Sequence, residues 1–427
     1  MNIEQLYQYF LNSNGVTTDS RKVTFNQIYF ALKGDNFNGN LFAKTALKEG
    51  AILVVVDEEQ VIDPINDTKY FLVPDVLEAL QKLAKYHRKQ LNIPIIALTG
   101  SNGKTTTKEL IHAVLKQKFN AVATVGNLNN HIGVPLTLLS MTNNTEIGIV
   151  EMGANHQKEI ELLCKIAEPD YGYITNFGKA HLEGFGGVEG VIKGKSEMYD
   201  YLENHNKISF TNIDDSIQLN KTKKIKNFTF GINNNFANVN IKNVEANPNV
   251  KIEIDHQIIK THLIGIYNAS NICAAIAIGK YFEISDENIK IAIESYLPTN
   301  NRSQIIEKES NKIILDAYNA NPSSMDVAIT NLNQLTSSNK IAILGDMFEL
   351  GESSDSEHLT IIHKAIESNI QEIYFVGDRF YKNKIENLKA KYFKNLDDLK
   401  LSFNFTNYSN FTILIKGSRG MALERLL

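Results

Sequence analysis

The stretch from Ile93 to Lys118 constrains the chain more than any other. Ile93-Pro94-Ile95-Ile96-Ala97-Leu98 is an unbroken apolar run, the pattern of a strand covered on both faces of a parallel sheet. It enters Thr99-Gly100-Ser101-Asn102-Gly103-Lys104-Thr105-Thr106-Thr107, after which Thr105 to Lys118 reads as a helix with Leu110, Ile111, Val114 and Leu115 on one face. Strand, glycine turn and helix form the setting of a phosphate-binding loop. Gly100 and Gly103 allow backbone N–H groups to close around phosphate oxygens, and the helix start adds partial positive charge. Lys104 supplies a full charge, the Thr105 hydroxyl can reach Mg²⁺, and Ser101, Asn102 and Thr106 complete the expected nucleotide cradle. Leu98 occupies the place of the first glycine in G-x-x-x-x-G-K-[ST], so the match is to the shorter Gly-Ser-Asn-Gly-Lys-Thr.

A chain of 427 residues accommodates two or three domains at ~100–200 residues each. Its hydrophobic content of 43% and charged content of 22% are those of a soluble globular protein with enough apolar side chains to fill a core. The net charge of −4 offers no general polyanion-binding surface, which argues against a nucleic-acid partner. Cys164 and Cys273 lie far apart in apolar helical patterns and read as buried thiols rather than a disulfide or a metal site. Met1 to Gly15 lacks the basic leader and apolar core of a signal peptide. No apolar run approaches the ~20 residues that span a bilayer. A cytoplasmic protein without membrane insertion is expected.

The fold class expected is α/β in three domains. Residues 1–88 read as a small N-terminal α/β domain, with strands at Ile28–Leu32 and Ile52–Val56 and a helix at Phe42–Glu49 closed by Gly50. Asp75 to Gln90 is a helix leading onward. Residues 89–298 alternate strand and helix, implying a central, mostly parallel sheet of the P-loop ATPase kind. Its strands are expected at Ile93–Thr99, Ala121–Thr124, Ile147–Glu151, Tyr171–Thr175 and Lys207–Thr211. A β-rich piece, Phe228 to Leu263, reads as a hairpin sheet on the domain's edge, before a helix at Asn268–Tyr281. Residues 299–427 read as a C-terminal Rossmann-like domain with strands at Lys312–Leu315, Lys340–Leu344, Ile373–Val376 and Phe411–Ile415. Ser323-Ser324-Met325-Asp326 reads as a capping box.

Ligands of open parallel sheets sit outside the carboxyl ends of the strands. Glu151 ends the apolar run Ile147-Gly148-Ile149-Val150 and is therefore placed to hold Mg²⁺ beside the phosphate loop. His181 follows another strand in a glycine-rich loop, a second candidate at the metal. Lys195 opens a helix, with Lys193 as a rival. A lysine desolvated near other cations can lose its proton, and a neutral amine can take up CO₂ to become an anionic carbamate ligand. Residue chemistry alone leaves a solvated cation as the simpler reading.

Together these motifs resemble the Mur ligase family. The resemblance runs through the phosphate loop, Gly126-Asn127-Leu128-Asn129-Asn130-His131-Ile132-Gly133-Val134-Pro135, Glu151-Met152-Gly153-Ala154-Asn155-His156, and Gly265-Ile266-Tyr267-Asn268-Ala269-Ser270-Asn271. It continues in Arg302, Asp316-Ala317-Tyr318-Asn319-Ala320-Asn321-Pro322, Leu344-Gly345-Asp346-Met347-Phe348-Glu349-Leu350-Gly351 and Lys416-Gly417-Ser418-Arg419-Gly420-Met421. Tyr267 stands where the family often has His, and Ala317 where Ser is common. The Asp-Asn-Pro-Arg motif of the branch that adds the third peptide residue is absent from the sequence. The C-terminal motifs are instead similar to the branch that joins D-alanyl-D-alanine to UDP-N-acetylmuramoyl-tripeptide.

The resemblance implies ATP-dependent amide synthesis through an acyl phosphate, in peptidoglycan precursor synthesis. Lys104, Lys195, His181 and Glu151 would be catalytic. Thr105 and Glu151 would hold one Mg²⁺, His181 and a carbamylated Lys195 a second. Gly100 to Thr106, Asn268, Asn271, Arg302 and Asp316 would contact ATP. Thr18, Ser20, Arg21, Asn129, Lys416 and Arg419 would contact the other substrates, with domain closure bringing the third domain in and the chain acting as a monomer. The rivals are a folylpolyglutamate synthetase of the same superfamily and, from other classes, a P-loop ATPase or GTPase switch or a non-catalytic nucleotide-binding regulator.

Overall fold

The computed structural model describes residues 2–298 and 301–427. The boundary expected at 298/299 abuts residues 299 and 300, which lie outside that description. Three large sheets follow one another along the chain, with a two-stranded antiparallel pair, Lys33–Gly34 and Phe37–Asn38, beside the first. The first is parallel, in the order Val16–Thr17, Ile28–Phe30, Leu53–Val56, Tyr70–Leu72. Its two inner strands are wholly buried, as their continuous apolar runs require.

The helix Val76–Leu91 joins this unit to the next. Asp75 caps it by accepting from the Glu78 N–H at 2.6 Å, and Val76, Ala79, Leu80, Leu83 and Ala84 form its buried face. His87 bridges Tyr7 at 3.2 Å and the Met141 carbonyl at 2.9 Å. Arg88 donates to the Ala167 carbonyl at 3.1 Å and to Asp170 at 2.7 Å. Buried polar groups paired in this way fix the helix against both units, because an unpaired one would carry its full desolvation cost.

The middle sheet has nine strands. From one edge they run Ala121–Ala123, Ile147–Glu151, Ile95–Thr99, Tyr171–Ile174, Ile208–Asn212, Lys226–Ile232, Val239–Ala246, Asn249–Ile254 and Gln257–Ile264. The pairing is parallel as far as Val239–Ala246 and antiparallel beyond it. The β-rich piece is thus not a separate hairpin sheet: its first strands continue the parallel order, and only its last three form a meander at the edge. Strand order reverses about Ile95–Thr99, which opens a crevice at the carboxyl ends of the three strands around it. The helix Ala269–Tyr281 packs on the phosphate-loop helix Lys104–Leu115, so close that a Cβ on Gly279 would lie 2.7 Å from Val114.

The third sheet runs Gln304–Lys308, Asn311–Asp316, Thr412–Lys416, Lys340–Gly345, Glu372–Val376, Ala390–Phe393. The inner strands match the expected apolar runs. The antiparallel first strand and the last one, both on edges, are half-exposed and lack that signal. The expected capping box begins two residues earlier than Ser323. Asn321 Oδ1 accepts from the Ser324 N–H at 2.9 Å and Ser324 Oγ accepts from the Asn321 N–H at 3.0 Å. Pro322 then takes the first helical position, where a missing N–H costs nothing. No helix of the described residues is long and apolar enough to cross a membrane.

Candidate active site

The phosphate loop is shaped by its neighbour at the strand ends, Thr175–Gly178. The Ser101 N–H donates to the Asn176 carbonyl at 3.0 Å, Ser101 Oγ to the Gly178 carbonyl at 2.7 Å, and Thr175 Oγ1 to the Asn102 carbonyl at 2.6 Å. Gly100 adopts φ 140°, and a Cβ there would sit 2.0 Å from Thr175 Oγ1. Gly103, at φ 79°, faces Asn271, whose Oδ1 would lie 2.6 Å from an added Cβ. Both glycines are required by the backbone and by this close approach. Leu98 is fully buried inside the strand, which explains why the loop needs no glycine there.

Helix Lys104–Leu115 starts one residue before the expected Thr105, with Gly103 as its cap. Lys104 Nζ folds back on its own loop, donating to the Gly100 carbonyl at 2.7 Å. Desolvation holds its pKa below the usual lysine value, with Arg302 acting the same way and Glu151 opposing. Thr105 Oγ1 lies 3.3 Å from Glu151 Oε1, which also accepts from Asn129 Nδ2 at 2.8 Å. The other carboxylate oxygen, Oε2, is buried without a partner. Below them Lys108, unnoticed in the sequence, is buried and donates to the Thr124 carbonyl at 2.8 Å; Thr124 Oγ1 in turn accepts from the Glu151 N–H at 3.0 Å.

Asn268 and Asn271 are buried and linked at 3.0 Å, and Asn271 Oδ1 accepts from Thr107 Oγ1 at 3.0 Å. The third domain closes the opposite wall. Arg302 stacks on Tyr318 with 3.6 Å from guanidinium carbon to ring centroid, and Lys416 Nζ bonds Asp316 at 2.6 Å. Two contacts missed in the sequence cross the seam: Asn321 Nδ2 to Asn102 Oδ1 at 2.8 Å, and the Lys179 N–H to Ser323 Oγ at 2.9 Å. Their signal was the Asn-Pro helix entry, whose cap residues also face outward.

One cavity of about 910 Å³ results, walled by residues 101–106, Asn129, Glu151, His181, Asn268, Asn271, Arg302, Asp316 and Lys416. The remaining expected residues lie elsewhere. Lys193 is exposed, whereas Lys195 is wholly buried and donates to the carbonyl of Ala154, a cavity-wall residue, at 3.0 Å. The Lys195 amine thus stands behind the wall rather than in it. Burial lowers its pKa well below the usual lysine value, and Lys104 adds to the effect. Thr18, Ser20 and Arg21 belong to the first domain and are not in the cavity wall. Arg21 is 86% exposed and bonds Asp19 at 2.9 Å. Arg419 likewise turns to Glu424 at 2.9 Å. Cys164 and Cys273 are free and buried, as expected.

Three family models match the chain in order. They are the Mur ligase family catalytic domain over 12–88, the Mur ligase middle domain over 98–279 and the Mur ligase glutamate ligase domain over 301–419. The UDP-N-acetylmuramoyl-tripeptide–D-alanyl-D-alanine ligase of Bacillus subtilis is 34% identical over 97% of this chain and 92% of its own length. The chain belongs to the Mur ligase family. Among solved Mur ligases, the crystal structure of MurF from Acinetobacter baumannii superposes with a TM-score of 0.88 at 29% identity, covering 99% of this chain and 97% of that one. MurF of Thermotoga maritima, solved in complex with ADP, superposes with a TM-score of 0.83 at 26% identity, covering 98% and 96%. The Mur ligase architecture accounts for a phosphate loop and a third-domain wall meeting over one cavity.

Proposed function

We propose that the protein joins D-alanyl-D-alanine to UDP-N-acetylmuramoyl-tripeptide at the expense of ATP, giving UDP-N-acetylmuramoyl-pentapeptide, ADP and phosphate in peptidoglycan precursor synthesis. The observation that carries the reading is the shared cavity, in which phosphate-loop groups face Arg302, Asp316 and Lys416 of the third domain. The protein works in the cytoplasm as a monomer.

The tripeptide carboxylate attacks the γ-phosphorus of ATP, ADP leaves, and an acyl phosphate remains. The dipeptide amine adds to its carbonyl, and the tetrahedral intermediate collapses with release of phosphate. Two anions must approach for the first step, so the chain supplies cationic groups in a partly dry site, where they act strongly. Lys104 and the N–H groups at the helix start hold the phosphates. Arg302, flat on Tyr318, presents a fork suited to two phosphate oxygens. Asn268 and Asn271 keep the seam polar, and Asp316 orients the Lys416 ammonium. Asn129, Arg21, Ser20, Thr18 and Arg419 serve the UDP-sugar peptide and the dipeptide once the domains close.

Two Mg²⁺ ions fit these residues. The unpartnered Glu151 Oε2 beside Thr105 is a hard oxygen donor in want of a cation, and His181 supplies a ring nitrogen on the same wall. When bound, the ions supply charge that screens the phosphates. Lys195 fits carbamylation: burial disfavours its ammonium form, and the lone pair of the neutral amine can bond CO₂ carbon while the departing proton goes to solvent. The test is phosphate release with ATP, Mg²⁺ and D-alanyl-D-alanine, using UDP-tripeptides ending in lysine or diaminopimelate. Formation of the pentapeptide, seen by mass, supports the reading. Phosphate release without it, or turnover only with folate and glutamate, overturns it.

A further inference from the structure

Gly345-Asp346-Met347-Phe348-Glu349-Leu350-Gly351 has no part in the scheme above, yet the structure braces it closely. The buried Asp346 accepts from the Arg379 and Phe380 N–H groups, each at 2.9 Å. The Met347 N–H donates to His358 Nε2 and the Phe348 N–H to Ser418 Oγ, each at 3.1 Å. The backbone then passes through Glu349 at φ 60°, a left-handed conformation that a glutamate holds only where its surroundings impose it. The result is a side chain directed across the seam between the third and middle domains. Glu349 Oε2 meets His181 Nδ1, and the Glu349 carbonyl accepts from the Glu183 N–H at 3.3 Å. His181 is itself left-handed, at φ 54°, and half-buried in the cavity wall.

We propose that Glu349 is a positioning residue which, from the third domain, fixes the ring of His181 with its proton on Nδ1 and its Nε2 lone pair free for a divalent cation. A carboxylate accepts only, so the ring nitrogen it meets must donate, and the tautomer follows. A carboxylate behind a ligating imidazole also raises the basicity of the other nitrogen. The middle-domain histidine is therefore made ready when the third domain is docked, and the motif's braced loop is the device that delivers the carboxylate. The cation half of this inference rests on the proposed function; the tautomer half does not.

The experiment uses the full chain with ¹⁵N-labelled imidazoles, without ligands, at a pH above imidazole titration, read by long-range proton–nitrogen correlation. The parent should show His181 with its proton on Nδ1. Glu349→Ala should give a mixture of tautomers, while Glu349→Gln, whose amide oxygen still accepts, should keep the parent form. Lys179→Ala breaks a separate seam pair, Lys179–Glu357 at 2.7 Å, and should leave the ring unchanged. In turnover assays Glu349→Ala should need about 10- to 100-fold more Mg²⁺, the usual scale for losing such a partner, with kcat recovering at saturation. A parent proton on Nε2, or an unchanged tautomer in Glu349→Ala, overturns the proposal. A tautomer that shifts while the Mg²⁺ requirement stays put overturns its cation half alone, and failure to make pentapeptide from any tripeptide overturns the proposed function instead.

Discussion

Thr105 Oγ1 and Glu151 Oε1 lie 3.3 Å apart, and the second oxygen of that carboxylate is buried with no partner. A lone buried acceptor is costly unless something binds it. Glu151→Gln should therefore cut turnover about 10²- to 10³-fold, the scale of removing one preorganised electrostatic contact, while leaving Tm no lower than the parent's. Steady-state kinetics and thermal melts check this; near-parent turnover would detach Glu151 from the chemistry.

The Lys195 amine gives a pH signature. Its folded-state pKa lies well below the ordinary 10.5 because it is buried and near Lys104. Between those two values the unfolded chain binds a proton that the folded chain does not, so the parent gains stability as pH rises through that window. Lys195→Met lacks this term, and its lost bond to the Ala154 carbonyl counts the same at every pH. In CO₂-free buffer the Tm of Lys195→Met relative to the parent should fall as pH rises towards the ordinary lysine value of 10.5. A difference that stays flat would mean that the amine is charged in the fold.

The same lysine tests the carbamate. Lys195→Ala should be inactive and should regain part of its activity with added acetate or formate, whose carboxylate replaces the carbamate's. Full activity without any addition would contradict the assignment.

The stack of Arg302 on Tyr318, at 3.6 Å, should matter through the ring's face and not its hydroxyl. Such a contact contributes about 1–2 kcal/mol when partly desolvated, a factor of roughly 5–30. Tyr318→Leu should raise the KM for ATP by that factor, while Tyr318→Phe should match the parent. Equal losses in both variants would place the effect in the hydroxyl.

What the sequence revealed followed from burial. Ile95–Thr99, Ile147–Glu151 and Tyr171–Ile174 are mostly apolar and almost wholly buried because both faces of the sheet are covered, and their carboxyl ends mark the crevice. Strands such as Gln304–Lys308 lie on edges, face water and leave no such pattern. Within the site, Glu151 and Lys104 were legible because each adjoins a strand end or a glycine turn. Glu349 and Asn321 act across the seam between domains, and no local spacing records which residues a distant segment will meet. Arg21 lies outside the cavity wall, exposed and paired with Asp19 two residues away, so its proposed contact with the UDP-sugar end rests on its motif and on domain closure.

The most direct test follows one oxygen atom. If the cationic groups gathered at the sheet's carboxyl edge let the tripeptide carboxylate attack ATP, that carboxylate must lose an oxygen to the phosphate released. UDP-tripeptide labelled with ¹⁸O in its terminal carboxylate should yield phosphate carrying one ¹⁸O per turnover, read by mass spectrometry. Unlabelled phosphate released alongside pentapeptide would contradict the acyl-phosphate route.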